Sequence, residues 1–168
     1  SSPMKQFTAS NGLSSNRILS LVPDLAGRLW IGTYGGGLNS LEVTTSHIVH
    51  YRSNATDPGT LYTDNITSLC ENGAGELWIG TTEGLNVLRI ETGRMVRIDL
   101  HSRIKHTVMS IARDHSGRMW TAVLDLGLLF YSHGVFTRFT TLNDPNRSLN
   151  SIRVLFPDPV ASNRSDVL

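Results

Sequence analysis

Three side chains that could bind a polar ligand recur at one place in an internal repeat of this chain. Tyr34, Glu83 and Asp125 each follow a tryptophan by four or five residues. Carboxylates accept hydrogen bonds from hydroxyl groups, and an aromatic ring stacks on the apolar face of a sugar. If the three repeats surround one mouth, this set would suit a carbohydrate or another polyhydroxy ligand.

The repeat that carries these residues is a polar turn leading into a tryptophan. It reads DLAGRLWIGTYGGGL from Asp24, NGAGELWIGTTEGL from Asn72 and DHSGRMWTAVLDLGL from Asp114. Successive tryptophans lie 48 and 42 residues apart (78 − 30 and 120 − 78). Such self-similarity at a fixed register is the signature of a repeat fold. The structural positions of the repeat are Trp30, Trp78 and Trp120, the glycines Gly27, Gly75 and Gly117, and the aliphatic residues Ile18, Ile66 and Val108.

Each repeat predicts four short β-strands joined by tight turns. The segments are rich in Val, Ile, Leu, Thr and aromatic residues and are bounded by Gly, Asn, Asp and Ser. No window has a sustained helical period, so we expect little or no helix. Antiparallel units of four strands that repeat every 40–50 residues are typical blades of a β-propeller. The sequence therefore predicts an all-β fold, with blades at about 16–52, 64–99 and 106–139.

A fourth unit begins at Asn150 and stops after its first predicted strand. Asn150–Asp158 aligns with Asn16–Asp24, but Ala161 and Arg164 stand where a glycine and a tryptophan are expected. The prediction is a partial propeller of about three and a half blades over 1–158, open at both ends, with an irregular tail over 159–168. Open sheet edges invite pairing with another chain, so its own missing blades or a second copy, as a homodimer, are the expected partners.

These motifs resemble the two-component regulator propeller repeat. The first copy has Ser-Ser-Asn-Arg-Ile from Ser14 and Gly-Arg-Leu-Trp-Ile-Gly-Thr from Gly27, and the second repeats the latter pattern from Gly75. The third copy departs, with Thr-Ala-Val after Trp120. The resemblance implies a periplasmic sensor module, non-catalytic itself, which signals to a histidine kinase or diguanylate cyclase output. Nothing in the chain resembles either of those output domains.

The resemblance also implies where a ligand would bind. Ligands of propellers sit on the face formed by the loops between second and third strands and by the segments between blades. Residues of this chain that fall on that face are Arg17, Tyr34, Arg52, Asp64, Glu83, His106 and Asp125. Two other functions stay open: a propeller enzyme of lyase or glycosidase type, with Glu83 and Asp125 as its carboxylate pair, or an interaction scaffold that assembles through blade edges.

Other functional classes have little support in the sequence. The net charge is +1 and the Lys and Arg residues are scattered, which disfavours nucleic acid as a partner. His47 and His50 are three residues apart, so on a strand they face opposite sides, and no metal or cofactor is predicted. The Gly35–Gly37 run precedes a predicted strand, which indicates a tight turn. Cys70 is the sole cysteine and is interpreted as a small core residue.

Overall fold

The computed structural model describes residues 4–100, 104–139 and 154–155. Their strands form three sheets, each built mainly from four consecutive antiparallel strands. The first sheet contains β1 (Ile18–Pro23), β2 (Arg28–Thr33), β3 (Leu38–Glu42) and β4 (His47–Tyr51). The second contains β5 (Ile66–Glu71), β6 (Glu76–Thr81), β7 (Gly84–Arg89) and β8 (Met95–Ile98). The third contains β9 (Val108–Arg113), β10 (Met119–Val123), β11 (Gly127–Ser132) and β12 (Val135–Arg138).

This architecture confirms the predicted all-β fold of four-stranded propeller blades. Each of the three repeats contains the four short strands that its sequence predicts. Among the described residues, the helical content is a single 3-10 turn at Ala9–Asn11. None of the described residues forms a helix long and apolar enough to cross a membrane.

In each blade, the turn between the first and second strands is organised by the side chain of the first residue of that turn. In the first blade, Oδ1 of Asp24 accepts hydrogen bonds from the backbone N–H groups of Ala26 and Arg28, at 2.9 and 3.0 Å. Gly27 takes a φ of +83° there, a conformation that glycine adopts without strain. Asn72 and Asp114 organise the turns of the second and third blades in the same way. The recurring polar turn thus sets up the β1–β2, β5–β6 and β9–β10 hairpins.

A β-bulge at the start of every blade explains the spacing of its aliphatic residues. The register of β5 on β6 skips Thr67, between Ile66 and Ser68. Ile66 and Leu69, three residues apart, would face opposite sides of a regular strand, yet both are buried. The bulge turns them to the same side. The same register shift occurs in β1 and in β9.

The blades stack face to face, and tryptophan fills the space between them. Trp30 is completely buried and shares a core with Ile66 and Leu69 of the second blade. Trp78 occupies the matching place against the third blade, in a core that contains Val108 and Ile111. Burying a large side chain of this kind contributes about 2–3 kcal/mol. A direct hydrogen bond adds to the first junction, where the Leu69 N–H donates to Ser20 Oγ at 3.0 Å.

The first and third blades each have an outer face on which no other described blade packs. These faces carry the repeat positions that are buried at the two junctions. Leu21 is 55% exposed, whereas its counterpart Leu69 is 7% exposed. At the other end Trp120 is only half-buried, and it contacts the rings of Phe130 and Phe139 on its own blade. The three blades therefore form a row with an apolar face at each end.

The predicted fourth unit lies mostly outside the described residues. Its start at Asn150 and the predicted tail over 159–168 are not described. The described part, β13 (Val154–Leu155), pairs antiparallel with β12. These two residues therefore add a fifth strand to the outer edge of the third sheet instead of opening a separate sheet.

Candidate functional site

The loops between second and third strands meet the segments between blades at one end of the row. The N–H of Tyr34 donates to the carbonyl of Arg17 at 2.9 Å, and Thr82 makes the equivalent bond to Asn65 at 3.1 Å. In the third blade the N–H of Leu124 donates to Thr107 at 2.8 Å. Because the strands alternate in direction, these contacts all lie at the same end, which we call the mouth end.

Four of the predicted site residues come together at the mouth end of the first two blades. The guanidinium of Arg17 stacks on the ring of Tyr34, with 4.4 Å from Cζ to the ring centroid. Arg52 Nη1 lies 3.4 Å from Asp64 Oδ2 and donates to the carbonyl of Gly35 at 3.1 Å. This set is mostly exposed, since Arg17, Tyr34 and Arg52 all face solvent. It forms a polar surface with an aromatic ring and two guanidinium groups.

Hydrogen bonds to the backbone of the loops between strands hold this surface in place. The carbonyl of Asp64 accepts hydrogen bonds from the N–H groups of Gly35 and Gly37, at 3.0 and 2.9 Å. The Asp64 side chain also accepts from the backbone of Ser53 at 2.7 Å. A Cβ atom on Gly37 would lie 2.3 Å from the carbonyl oxygen of Tyr51. The Gly35–Gly37 run is therefore a tight turn closed against the second blade.

Two more of the predicted site residues, Glu83 and His106, line a groove that the second blade forms with the segment leading to the third blade. The groove has a volume of about 190 Å³. Glu83 forms an ion pair with Lys105, and His106 is buried in the wall. Tyr62 and Asp99 complete its polar lining, while the apolar lining is Ile98, Leu100 and Ile104. We call this the mouth groove.

The electrostatics of the mouth groove keep its phenol neutral. Burial raises the pKa of the Tyr62 hydroxyl, and the Asp99 carboxylate raises it further, although Arg97 and Lys105 act in the opposite direction. The hydroxyl lies 3.3 Å from the carbonyl of Ile98, to which it donates. The groove thus offers a neutral phenol ring, two carboxylates and an ammonium group. Such a lining can hydrogen-bond several hydroxyl groups of one small ligand.

Asp125 stands apart from these groups. It lies in the exposed turn between β10 and β11 with a φ of +66°. Within the described part of the chain, its side chain makes no hydrogen bond or ion pair. The structure therefore brings Arg17, Tyr34, Arg52 and Asp64 into one surface and Glu83 and His106 into one groove, with Asp125 in neither.

Sequence reasoning missed three residues of the mouth groove: Tyr62, Asp99 and Lys105. Each lies in or beside a segment between blades, where the residue types vary from one repeat to the next. The sequence contains one signal for Tyr62, which is the asparagine at the start of the third strand. In the second blade this residue is Asn86, which is buried on β7 and accepts a hydrogen bond from the backbone N–H of Tyr62 at 3.0 Å. Asn39 holds Ser14 in the same way at 2.9 Å, and both asparagines follow a leucine at the start of the third strand.

Candidate metal ligands do not cluster in the described residues. No group of three or more His, Cys, Asp or Glu side chains there could hold a metal ion. Cys70 is half-buried beside the core of the second junction, and burial raises the pKa of its thiol. It is a packing residue in this position.

Comparison with known proteins identifies the repeat. The family model described as two component regulator propeller matches residues 12–35 and 63–83. Two segments of the chain are thus similar to this repeat, and both carry the motifs described above. A comparison with curated proteins finds no match.

Solved structures support the propeller fold. The extracellular domain of BT4673 from B. thetaiotaomicron, described as a hybrid two component system, superposes with a TM-score of 0.65 at 21% identity, over 89% of this chain and 20% of that one. The extracellular domain of BT3049 from the same organism gives 0.55 at 19% identity, over 81% and 26%. A streptogramin B lyase gives 0.58 at 13% identity, over 79% and 43%. The chain therefore spans about a fifth to a quarter of these two extracellular domains, and these likenesses concern the fold.

Proposed function

We propose that this chain, which carries two-component regulator propeller repeats, is a ligand-sensing propeller segment of an extracytoplasmic bacterial signalling protein. The observation that carries the proposal is the position of the two family matches. Residues 12–35 include Arg17 and Tyr34, and residues 63–83 include Asp64 and Glu83. The repeat itself thus supplies residues to both the exposed mouth surface and the mouth groove. The extracellular location of the BT4673 and BT3049 domains supports the proposed location.

The proposed ligand is a small polyhydroxy compound such as a carbohydrate. The mouth groove supports this because Glu83 and Asp99 present acceptors, Lys105 presents a donor, and Tyr62 presents a ring. The ligand would sit between the second blade and the segment leading to the third, so its binding would change how that segment and the third blade pack on the second. In this proposal the changed packing is the signal passed to an output domain, and the end faces of the row receive further blades or a second copy.

The test is a binding screen with neutral oligosaccharides, followed by titration calorimetry on variants. Glu83→Gln keeps the shape of the side chain but removes the charge that pairs with Lys105. We expect it to weaken binding about tenfold, as one charge-assisted hydrogen bond of about 1.5 kcal/mol is lost. The matched control is Glu91→Gln, an exposed carboxylate between β7 and β8 at the opposite end, which should bind as the unchanged chain does. Equal affinity in both variants would contradict the mouth groove as the site.

A propeller enzyme is the weaker candidate. The lyase likeness concerns the fold alone, since it rests on 13% identity. The predicted carboxylate pair has no support in the arrangement of the described residues, because Glu83 pairs with Lys105 and Asp125 lies in an exposed turn. Turnover of a bound oligosaccharide in the same assay would favour the enzyme over the sensor.

A further inference from the structure

The two junctions between blades differ in how their buried polar groups are paired. The first junction joins the first and second blades, and the second junction joins the second and third. At the first junction, the Leu69 N–H donates to Ser20 Oγ at 3.0 Å. Ser68 is the counterpart of Ser20 in the next blade. Its Oγ is buried and has no hydrogen-bond partner among the described residues.

The unpaired hydroxyl of Ser68 lies at the second junction. A Cβ atom on Gly80 would stand 2.4 Å from Ser68 Oγ and 2.9 Å from Cγ1 of Val108, the first residue of β9. A different hydroxyl makes the bond across the junction here, because Thr67 Oγ1 donates to the carbonyl of Val108. Leu19 stands at the position of Thr67 in the first blade. The second junction therefore has one new bond and leaves the repeated serine without its own.

A second unpaired hydroxyl, that of Thr121, faces the same junction. Thr121 is completely buried, and its Oγ1 makes no hydrogen bond within the described part of the chain. It lies on β10 between Met119 and Val123, and residues two apart on a strand share a face. Both neighbours belong to the core of the second junction. The other blades have Ile31 and Ile79 here, so only the third blade presents a hydroxyl.

The indole of Trp78 is the third unpaired group. Trp78 shares a core with residues of the third blade, and its Nε1 is buried without a partner in the described ranges. At the first junction, Trp30 Nε1 donates to Asp24 Oδ2 at 3.0 Å. The second blade has Asn72 in place of the aspartate. Its side-chain oxygen accepts from the turn and its nitrogen donates to Glu76 Oε2 at 2.8 Å, so it presents no acceptor to the indole.

These three groups make the second junction the weaker one. A polar group that loses water on burial and finds no partner destabilises the packed state. The counterparts at the first junction are satisfied, since Ser20 and Trp30 are paired and Ile79 has no polar side-chain atom. The second junction also has a groove of about 250 Å³ at the end opposite the mouth, between Trp78 and the turns of the third blade. Side chains that line such a space lose part of their packing contacts.

We propose that the second junction is the moving joint of the row, at which the third blade parts from the second as a unit while the first junction stays closed. Contacts at the mouth end hold this joint. There Thr107 Oγ1 donates to the carbonyl of Thr82 at 3.0 Å, and Lys105 pairs with Glu83. Lys105 and Glu83 also line the mouth groove. A ligand that bridges them would favour the closed joint, and this last step alone rests on the proposed function.

The test follows the exchange of the indole N–H hydrogens with heavy water, in nitrogen–proton correlation spectra of the intact chain. Trp78 reports on the second junction and Trp30 on the first. Thr121→Val keeps the shape of the side chain and removes the unpaired hydroxyl. We expect it to slow the exchange of Trp78 about tenfold and to leave Trp30 unchanged. An unchanged rate at Trp78, or equal slowing of both indoles, would overturn the proposal.

The matched control for Thr121→Val is Thr81→Val. Thr81 is also completely buried, but its hydroxyl donates to the carbonyl of Gly84 at 2.8 Å. Removing a paired hydroxyl stabilises nothing, so this variant should not slow the exchange of Trp78. Slowing of Trp78 by both variants would show that the exchange does not depend on the unpaired group, and would contradict the joint.

The repeated serine gives a pair of variants with effects of opposite sign. Ser68→Ala removes an unpaired hydroxyl and should slow the exchange of Trp78 about fivefold, whereas Ser20→Ala breaks a bond and should speed that of Trp30 by about the same factor. Ser68→Ala also replaces Thr121→Val if that variant does not fold. Faster exchange of Trp78 in Ser68→Ala would mean that this hydroxyl stabilises the junction, and the proposal would fail.

Cys70 provides an independent reporter of the joint. It is the sole cysteine, and it lies half-buried beside the core of the second junction. Thr107→Val removes a bond at the mouth end, so we expect a bulky thiol reagent to label Cys70 about fivefold faster in this variant. Unchanged labelling would contradict the hold at the mouth end. Because this assay uses no ligand, faster labelling together with a failed oligosaccharide screen would overturn the proposed function and leave the joint.

Discussion

Gly32 of the first blade lies directly against Ile66 of the second: a Cβ atom on Gly32 would stand 2.6 Å from Cγ2 of Ile66. Gly80 has the same relation to Val108 of the third blade, at 2.9 Å. The glycine after each Trp-Ile pair thus makes room for the first strand of the next blade. Ala122 occupies this position in the third blade, whose outer face has no described blade against it.

Gly32→Ala is therefore expected to destabilise the first junction. The added methyl group must displace a fully buried isoleucine, and overpacking of this kind costs about 1–3 kcal/mol. Urea unfolding followed by tryptophan fluorescence measures the change. The matched control is Ala122→Gly, which should lower the free energy of unfolding by no more than about 1 kcal/mol through backbone entropy. If Gly32→Ala proves as stable as the unchanged chain, glycine is not required by the junction.

Leucine at one repeat position provides a second comparison. We expect Leu69→Ala to lower the free energy of unfolding by about 2–5 kcal/mol, because Leu69 is buried against the first blade. Leu21→Ala should change it by less than about 0.5 kcal/mol, because Leu21 is mainly exposed. Both variants are measured by the same urea titration.

The same pair of variants reports on what covers the first blade. A loss of stability in Leu21→Ala that grows with protein concentration would mean that a second copy packs on this face. Light scattering across the same concentration range would then detect the associated species. A concentration-independent result with a monomeric mass would leave the face uncovered in the isolated chain.

The repeat made the blades predictable from the sequence. Trp30, Gly27 and Ile18 recur in constant register, and hydrophobic periodicity with turn residues is sufficient to define strands of this kind. The bulge at Thr67 was not predicted, although it explains why Ile66 and Leu69 share a face. Its sequence signal is the aliphatic pair itself, spaced by three residues in all three blades.

The mouth groove was less predictable because segments that connect the blades form much of its lining. Glu83 lies in a repeated loop, whereas its ion-pair partner Lys105 stands where the other two repeats have the uncharged residues Ser15 and Thr63. Such a pair depends on how two sheets stack, which the periodicity of either sheet does not encode. Trp120 illustrates the same limit: its repeat position matches Trp30, but its burial depends on a neighbour outside its own blade.

We expect Arg97 to stabilise the segment between the first two blades. Its guanidinium donates to the carbonyls of Asn54, Thr60 and Leu61, at 2.8, 3.0 and 2.7 Å. Arg97→Lys keeps the charge but not the planar fork, so we expect a loss of about 1–3 kcal/mol. Hydrogen exchange should then be faster at the N–H groups of residues 54–61 than elsewhere.

His50 gives the control for that variant. It stands at the position of Arg97 in the first blade and makes one contact, between Nε2 and the carbonyl of Gly12 at 2.8 Å. His50→Gln should change exchange only near Gly12. Unchanged protection of residues 54–61 in Arg97→Lys would mean that the turn hydrogen bonds alone hold that segment.

Acid should destabilise the first blade through Asp24. Burial alone would raise the pKa of this carboxyl, but hydrogen bonds from the Arg28 backbone, the Trp30 indole and the Arg28 guanidinium together lower it below its ordinary value of 3.8. A group whose pKa is lower in the folded state stabilises the fold above the unfolded pKa, and that stability is lost as the pH falls through the folded pKa. Asp24 therefore contributes at pH 7, and its contribution fades below about pH 4.

Asp24→Asn tests this directly, because it gives the first blade the residue that the second already has at Asn72. We expect it to lower the free energy of unfolding by about 1–3 kcal/mol at pH 7, since Trp30 and Arg28 lose an acceptor whose side chain is 4% exposed. The difference from the unchanged chain should shrink towards pH 3, as measured by urea titrations at each pH. An equal difference at both pH values would show that the charge of Asp24 is not what the turn uses.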